Sequence, residues 1–322
     1  MGGAAREIWL RRLDAEMENL RTAVSWSSLT DGRQETGLRL AVALEDFWYA
    51  LGHASEGCQR IEDLLARIAS PAARLRARAL DVLGLLGLYQ GDVAQARSHF
   101  EAAHALHMSV GDVHKAAWSL THQGLAALDL SDVQRAKPLL EHALSVHEEY
   151  GDRHGIGWSL NFLAQIHQLL RNHVQAAALY ERSLAEFQDI GYMFGVSDQF
   201  AHLASVAREQ GDYARARQLL RESLHVLRSL IDMPCLAKCF EGLGMLAAAE
   251  GQPARAAWLF GAAYNLREVI GTPVEMVDRV ALEHAVPETR AALGEDAFAA
   301  AWAAGQGLSL HEAMALALEA DG

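Results

Sequence analysis

The chain has 322 residues, of which 51% are hydrophobic and only 7% aromatic, and a formal net charge of −13. An acidic chain repels phosphate, whose binding rests on lysine and arginine, so direct nucleic-acid binding by this segment is excluded. No apolar run reaches the length of a membrane span and no signal-peptide pattern opens the chain. With only Cys58, Cys235 and Cys239, this predicts a reduced, cytoplasmic protein, with no disulfide scaffold and no membrane contact.

Residues 4–29 read as one helix, with Ile8, Leu13, Met17, Leu20, Val24 and Trp26 on its apolar stripe and Asp31-Gly32 as its stop. Residues 33–51 predict a second helix carrying Leu40, Leu44, Phe47 and Trp48. Gly52-His53 makes a turn, and a third helix runs to about Ile68. Residues 1–70 thus form an irregular amino-terminal cap, because a terminal repeat must meet something other than a neighbour.

Ser70-Pro71 opens a regular array, with serine as cap and proline at the first helical position. From here one pattern returns every 40 residues. Ala96 recurs as Ala136, Ala176, Ala216 and Ala256. Phe100 recurs as Leu140, Tyr180, Leu220 and Phe260, and Gly84 as Gly124, Ala164, Ala204 and Gly244. Leu80 recurs as Leu120, Leu160, Phe200 and Phe240. Five copies without insertion, over residues 71–271, predict a helical solenoid. Small residues let two helices approach and the large one fills the space beside them.

Breaks fall every 20 residues. One series reads Gly91-Asp92, Ser131-Asp132, Arg171-Asn172, Gly211-Asp212 and Gly251-Gln252; the other reads Gly111-Asp112, Gly151-Asp152, Gly191-Tyr192, Ile231-Asp232 and Gly271-Thr272. Glycine ends one helix in a left-handed conformation and aspartate caps the next. This leaves helices of about 17 residues, roughly 25 Å long. Pro138 falls inside one of them, where it removes a hydrogen bond and predicts a bend. No long alternating Val/Ile/Thr run predicts a sheet.

Residues 272–322 leave the register and predict carboxy-terminal capping helices. Thr272-Pro273-Val274-Glu275 reads as a capping box opening a helix to about Ala285. Pro287 interrupts it, a short helix covers 288–293, and Glu295 to Ala304 forms another. Ser309-Leu310-His311-Glu312 is a second capping box, opening a last helix that ends near Ala320.

Leu80, Leu83, Gly84, Gly91, Ala96, Phe100 and Ala103 resemble the signature of the tetratricopeptide repeat. That unit has 34 residues; the extra six imply longer helices, about one additional turn each. The family's tyrosine falls on Gly87 and its closing proline on Met108. The resemblance implies an all-α fold, a right-handed superhelical solenoid of antiparallel helix pairs with atypical ends.

The flanks resemble a second group. The stretch from Trp9 through Leu13-Asp14-Ala15-Glu16 to Leu20-Arg21-Thr22-Ala23, then Phe47-Trp48 and Gly52-His53-Ala54-Ser55-Glu56-Gly57, is one part. Leu293-Gly294-Glu295-Asp296-Ala297-Phe298, Ala301-Trp302-Ala303-Ala304-Gly305 and Leu308-Ser309-Leu310 are the other. Together they look like the helical-repeat sensor domain of large bacterial ATP-binding regulators, the LuxR-type and related signal-transduction ATPases that regulate transcription. The resemblance implies an arm that binds an inducer or partner and relieves autoinhibition of an NTPase module and a DNA-binding domain in the same full-length protein. No phosphate-loop Gly-x-x-x-x-Gly-Lys-Ser/Thr is present. A free-standing adaptor and a peptide-pheromone receptor are the alternatives.

No nucleophile, base and acid come together in sequence, so no enzymatic activity and no cofactor are expected. Among fifteen histidines, His104/His107 and His142/His147 are close, but no His-Glu-x-x-His occurs and no metal set converges. His107/His147 and His114/His154 are 40 apart and read as repeat drift. Cys235 and Cys239, one turn apart, read as packed core thiols. Gly242-Leu243-Gly244 belongs to the close-packing position of its repeat.

In tetratricopeptide arrays the first helix of each pair lines the concave groove. Carrying its outward positions over gives Arg78, Asp81, Leu85 and Tyr89; then Trp118, Thr121 and Leu125; then Trp158, Asn161, Gln165 and Gln168; then Asp198, Arg208, Lys238 and Glu241. Trp118 and Trp158, one repeat apart, either line one wall of the groove or pack between adjacent first helices. Asn161 offers a donor and an acceptor to a peptide backbone. Tryptophans among Asn, Gln and Thr suit an amphipathic guest. The expected occupant is a protein or peptide, or a small-molecule inducer.

Overall fold

The computed structural model describes residues 12–319, apart from Asp14, Asp31, Leu51, Ser229, Ile231 and Ser309. The expectations placed on Ile8, on the stretch from Trp9, and on Asp14, Asp31, Ile231 and Ser309 lie outside the described residues. Among the described residues the regular structure is entirely helical.

The five repeats supply ten helices at the expected interval. The first helices are α5 (Ala73–Tyr89), α7 (Val113–Asp129), α9 (Arg153–Leu169), α11 (Met193–Glu209) and α13 (Met233–Ala249). The second helices are α6 (Val93–Ser109), α8 (Val133–Tyr150), α10 (His173–Asp189), α12 (Tyr213–Leu227) and α14 (Pro253–Ile270). Before them come α1 (Met17–Leu29), α2 (Gln34–Ala43), α3 (Glu45–Ala50) and α4 (Ala54–Arg67). After them come α15 (Met276–Leu293), α16 (Glu295–Gln306) and α17 (Leu310–Glu319). This is the all-α helical-pair repeat expected from the sequence.

The punctuation works as its residues predict. Gly91 has φ 81° and the Asp92 amide returns to the Gly87 carbonyl at 2.9 Å, closing α5. The Asp92 carboxylate then accepts from the Gln95 amide, opening α6. Asp112, Asp132, Asp152, Asp212 and Asp232 cap the helices that follow them in the same way. Ser131 and Arg171 hold the same left-handed conformation, at φ 61° and 59°, without being glycine.

Packing follows the register. A Cβ on Gly84 would stand 2.4 Å from Phe100, so only glycine lets α5 and α6 approach with that ring between them. Gly124 stands to Leu140, and Gly244 to Phe260, in the same way. Each such fully buried ring or branched chain contributes roughly 1.5–3 kcal/mol.

The chain divides into two compact units, one ending at Leu163 and the other beginning at Ala164, inside α9. In the first, Val24, Leu38, Phe47, Trp48, Ile61, Leu64, Val82 and Leu86 join the amino-terminal helices to α5. In the second, Tyr180, Leu220, Phe240 and Phe260 are core residues, and Ala313 and Ala317 of α17 are buried with them. There α16 crosses α14 backbone to backbone: a Cβ on Gly305 would lie 2.0 Å from the Trp258 carbonyl oxygen.

Four local expectations are corrected. Helix α5 starts at Ala73 with Ala72 before it and no side-chain cap, so Ser70 does not cap it and Pro71 lies outside it. The helix predicted over 33–51 breaks at Leu44, because the Trp48 indole N–H donates to the Ala41 carbonyl at 2.9 Å and replaces a helical bond there. The helix predicted from the Thr272 box starts only at Met276, with Thr272–Glu275 outside any helix and Glu275 in an extended conformation. The Glu275 carboxylate bonds with Lys238 at 2.7 Å instead of closing a capping box. Helix α15 also runs through Pro287, which is exposed, as is Glu283, whose carbonyl loses its donor to the proline. Pro138 is exposed too, and α8 is continuous across it.

Candidate functional site

Residues 40 apart occupy equivalent points of successive first helices, so within each unit the predicted groove residues form a series: along α5, α7 and the start of α9 in one, and along the end of α9, α11 and α13 in the other. Many are buried rather than displayed: Asp81, Thr121, Asn161, Gln165, Gln168, Asp198, Lys238 and Glu241. Buried polar groups need partners, and much of this face bonds within its own unit.

In the amino-terminal unit, Arg78 pairs with Glu45 and remains part-exposed. Tyr89 stacks on Tyr49 with centroids 3.9 Å apart. Leu85 is buried and Leu125 half-buried. Asp81 accepts from Ser119 Oγ at 2.7 Å and lies 3.0 Å from His107 Nε2, tying α5 to α6 and α7. Trp118 and Trp158 are half-buried and keep open edges. Trp118 donates its indole N–H to Asp152 Oδ2 at 2.8 Å, and its ring meets those of His147 and His154 at 5.0 and 5.1 Å. Trp158 donates to His154 Nε2 at 3.1 Å and stacks on Phe162. His154 therefore touches both tryptophans.

Around Trp118 the structure assembles residues that sequence reasoning kept apart. His114 Nε2 lies 2.7 Å from Asp152 Oδ2, and His147 Nδ1 lies 3.3 Å from the same oxygen. Burial pushes the Asp152 carboxyl up, but His147, His114, the Gly155 amide and Trp118 outweigh it and hold it well below the usual carboxylate range. The signal in the sequence was slight: an aspartate in the turn series, and one histidine from each of two period-40 pairs, His114/His154 and His107/His147.

In the carboxy-terminal unit, Gln168 donates to Ser205 and Glu209 and accepts from Tyr180. The Lys238 ammonium lies 2.6 Å from Asp198 Oδ1, 2.7 Å from Glu275 Oε1 and 3.2 Å from His202 Nε2. Burial pulls the Lys238 ammonium down, but Asp198 and Glu275 overcome it and raise it well above its ordinary value. Asp198 is correspondingly depressed against the effect of its own burial. Glu241 takes a two-point contact from Arg267 at 2.7 and 2.8 Å. Ser205 donates to Asp278 at 2.6 Å, and Arg208 stands 3.7 Å from it. Glu275 and Asp278, which sequence reasoning missed, thus lie over this face. Their signal was hidden because Thr-Pro-Val-Glu reads as a helix start.

Cys235 and Cys239 are buried, and Cys239 donates to Ser223 Oγ, so both serve as core thiols. No helix among the described residues is long and apolar enough to cross a membrane.

Comparison with known proteins agrees with this architecture. The tetratricopeptide-repeat family model matches residues 115–188. A crystal structure of a Rap protein complexed with competence and sporulation factor is 12% identical, covers 92% of this chain and 80% of that one, and superposes with a TM-score of 0.66. The crystal structure of BtubC (BKLC) from P. vanneervenii is 17% identical, covers 68% of this chain and 91% of its own, and has a TM-score of 0.51. No curated protein matches. At these identities the likeness concerns the fold, which is a helical repeat of the tetratricopeptide type.

Proposed function

We propose that the chain is a binding module without catalytic activity, and that the first-helix face of its carboxy-terminal unit receives an extended protein segment bearing carboxylates. One observation carries this reading: the chain already lays such a segment on that face. Thr272–Glu275 belongs to no helix, Glu275 has an extended backbone and bonds with Lys238, and the Pro273 carbonyl accepts from Arg267 at 3.1 Å. Asp278, three residues on, takes Ser205 and Arg208. A guest peptide with the same spacing finds side-chain and backbone partners in place. The Rap neighbour, itself a complex with a factor, supports a protein or peptide guest.

The test is fluorescence anisotropy with a labelled peptide of residues 271–280. A chain bearing Glu275→Gln and Asp278→Asn should bind it at least tenfold more tightly than the unaltered chain, because the tethered competitor acts at an effective concentration of about millimolar. A peptide with glutamine and asparagine at the two carboxylate positions should lose that binding. Equal binding of the acidic and amide peptides would remove the reading.

A second reading concerns context, and the flanking stretches support it: the chain is the sensor or interaction arm of a transcription-regulating signal-transduction ATPase, with guest binding coupled to an NTPase module and a DNA-binding domain. In that setting residues 1–70 and 272–322 cap the array, and Trp118, Trp158 and Asn161 contribute to guest binding in the amino-terminal unit. Immunodetection of the native protein tests it. A band well above 35.1 kDa agrees with an arm of a larger regulator. A band at 35.1 kDa favours a free-standing adaptor or peptide receptor.

A further inference from the structure

Among the described residues two clusters gather imidazole and carboxylate groups whose ligand atoms lie within 4.8 Å of one another: His114, His147 and Asp152 in one unit, and Asp198, His202 and Glu275 in the other. The second holds a cation of its own, since the Lys238 ammonium stands between Asp198 and Glu275 and next to His202. The first is arranged differently. His114 comes from the start of α7, His147 from the last turn of α8, and Asp152 from the turn into α9.

We propose that His114, His147 and Asp152 form a divalent transition-metal site that takes Zn2+ through His114 Nε2, His147 Nδ1 and Asp152 Oδ2. Two imidazoles and one carboxylate are the donor set that suits this ion, and three protein ligands leave a fourth position for water or a guest. Tetrahedral zinc, with bonds near 2.0–2.1 Å, holds its ligand atoms about 3.3 Å apart. His147 Nδ1 already stands 3.3 Å from Asp152 Oδ2, and His114 Nε2 at 2.7 Å from it needs to withdraw by about half an ångström.

The orientation of each ligand is fixed from behind. Asp152 receives the Trp118 indole N–H on Oδ2 and the Gly155 amide on Oδ1. His147 Nε2 lies 3.3 Å from Thr121 Oγ1, which leaves Nδ1 to face the carboxylate. That His147 ring is fully buried, and its Nδ1 makes no hydrogen bond of acceptable geometry although it lies within ion-pair distance of Asp152. The ring of His114 stacks on Tyr150 with planes 9° apart. Outer partners of this kind hold metal-binding imidazoles in one tautomer and one direction. His114 is part-exposed, so the ion has a way in from solvent. The net charge of −13 favours a cation. The ion would fasten three successive helices beside Trp118, and the site is independent of the peptide-accepting face.

The experiment uses the full, tag-free chain stripped with chelator and titrated with Zn2+ by calorimetry, and with Co2+ followed by visible absorption. The expected result is one equivalent bound at micromolar or lower Kd, with the intense Co2+ bands of a four- or five-coordinate N/O site. Substitution His114→Gln, on a part-exposed ring, should weaken binding more than tenfold while the helical circular dichroism stays unchanged. Asp152→Asn should do the same and His154→Gln should not. Absence of binding at 100-fold molar excess of Zn2+, or binding that His114→Gln leaves unchanged, would overturn the assignment.

Discussion

Lys238→Met tests whether the buried charge cluster holds the carboxy-terminal unit together. Lys238 and Asp198 are only 6% and 8% exposed. At 2.6 and 2.7 Å the ammonium attracts Asp198 and Glu275 by about 6 kcal/mol each at an effective dielectric near 20. Desolvation of the ammonium, several kcal/mol, offsets part of this, and methionine regains apolar packing. Glu275 is 38% exposed at its side chain and rehydrates when the lysine is gone. Asp198 does not and keeps His202, 3.4 Å away, so the net loss is set by one poorly compensated carboxylate, about 3–5 kcal/mol. That corresponds to a fall in melting temperature of roughly 10 °C for a unit of this size. The pH dependence also changes sign. In the native chain the Asp198 pKa lies below its unfolded value, so its contribution is present above about pH 4 and is lost as pH falls. Without the lysine, burial is opposed chiefly by His202 and raises it above the unfolded value, so its contribution is present at low pH and is lost as pH rises. Urea denaturation followed by circular dichroism should therefore show a larger deficit at pH 8 than at pH 5. Adding Asp198→Leu should recover most of the loss. A deficit below about 1 kcal/mol at pH 8, or one independent of pH, would refute the reasoning.

Three further outcomes are expected. Gly84→Ala drives a methyl into the Phe100 ring and should cost about 1–3 kcal/mol in the same denaturation assay, with Phe100→Leu in the same chain restoring part of it. Arg171→Gly relieves a left-handed backbone on an exposed residue and should raise stability by about 0.5–1 kcal/mol, measured as a shift in denaturation midpoint at unchanged slope. His122, whose pKa burial lowers to about 4, is neutral in the folded chain; its contribution is present above pH 6.5 and lost as pH falls from about 6.5 to about 4. His122→Phe, the residue at Phe162 in the next repeat, should remove about 3 kcal/mol of the acid sensitivity between those limits, read from denaturation at pH 7 and pH 4.

The architecture was legible because it rests on local and periodic information. Gly91-Asp92 ends one helix and caps the next by contacts within five residues, and Gly84 opposite Phe100 is one close approach repeated down the chain. Such features survive in sequence because each repeat sees nearly the same neighbours. Aperiodic partners were not legible. The break at Leu44 depends on where the Trp48 indole reaches, and the late start of α15 depends on a lysine 37 residues earlier in sequence drawing Glu275 out of its cap. Propensity reads a Thr-Pro-Val-Glu stretch as a helix start; a buried ammonium outbids it by an ionic bond. The same limit governs the site. Periodicity placed Trp118 and Trp158 in one unit, and Asp198 and Lys238 in the other, at matching positions of successive first helices, since they are 40 residues apart. It could not say that most of the polar groove residues bond to residues outside that series, that Asp152 gathers two imidazoles and an indole, or that Glu275 and Asp278 lie over Lys238 and Arg208. Those are side-chain meetings between separate helices, and only the packed chain brings the atoms within bonding distance.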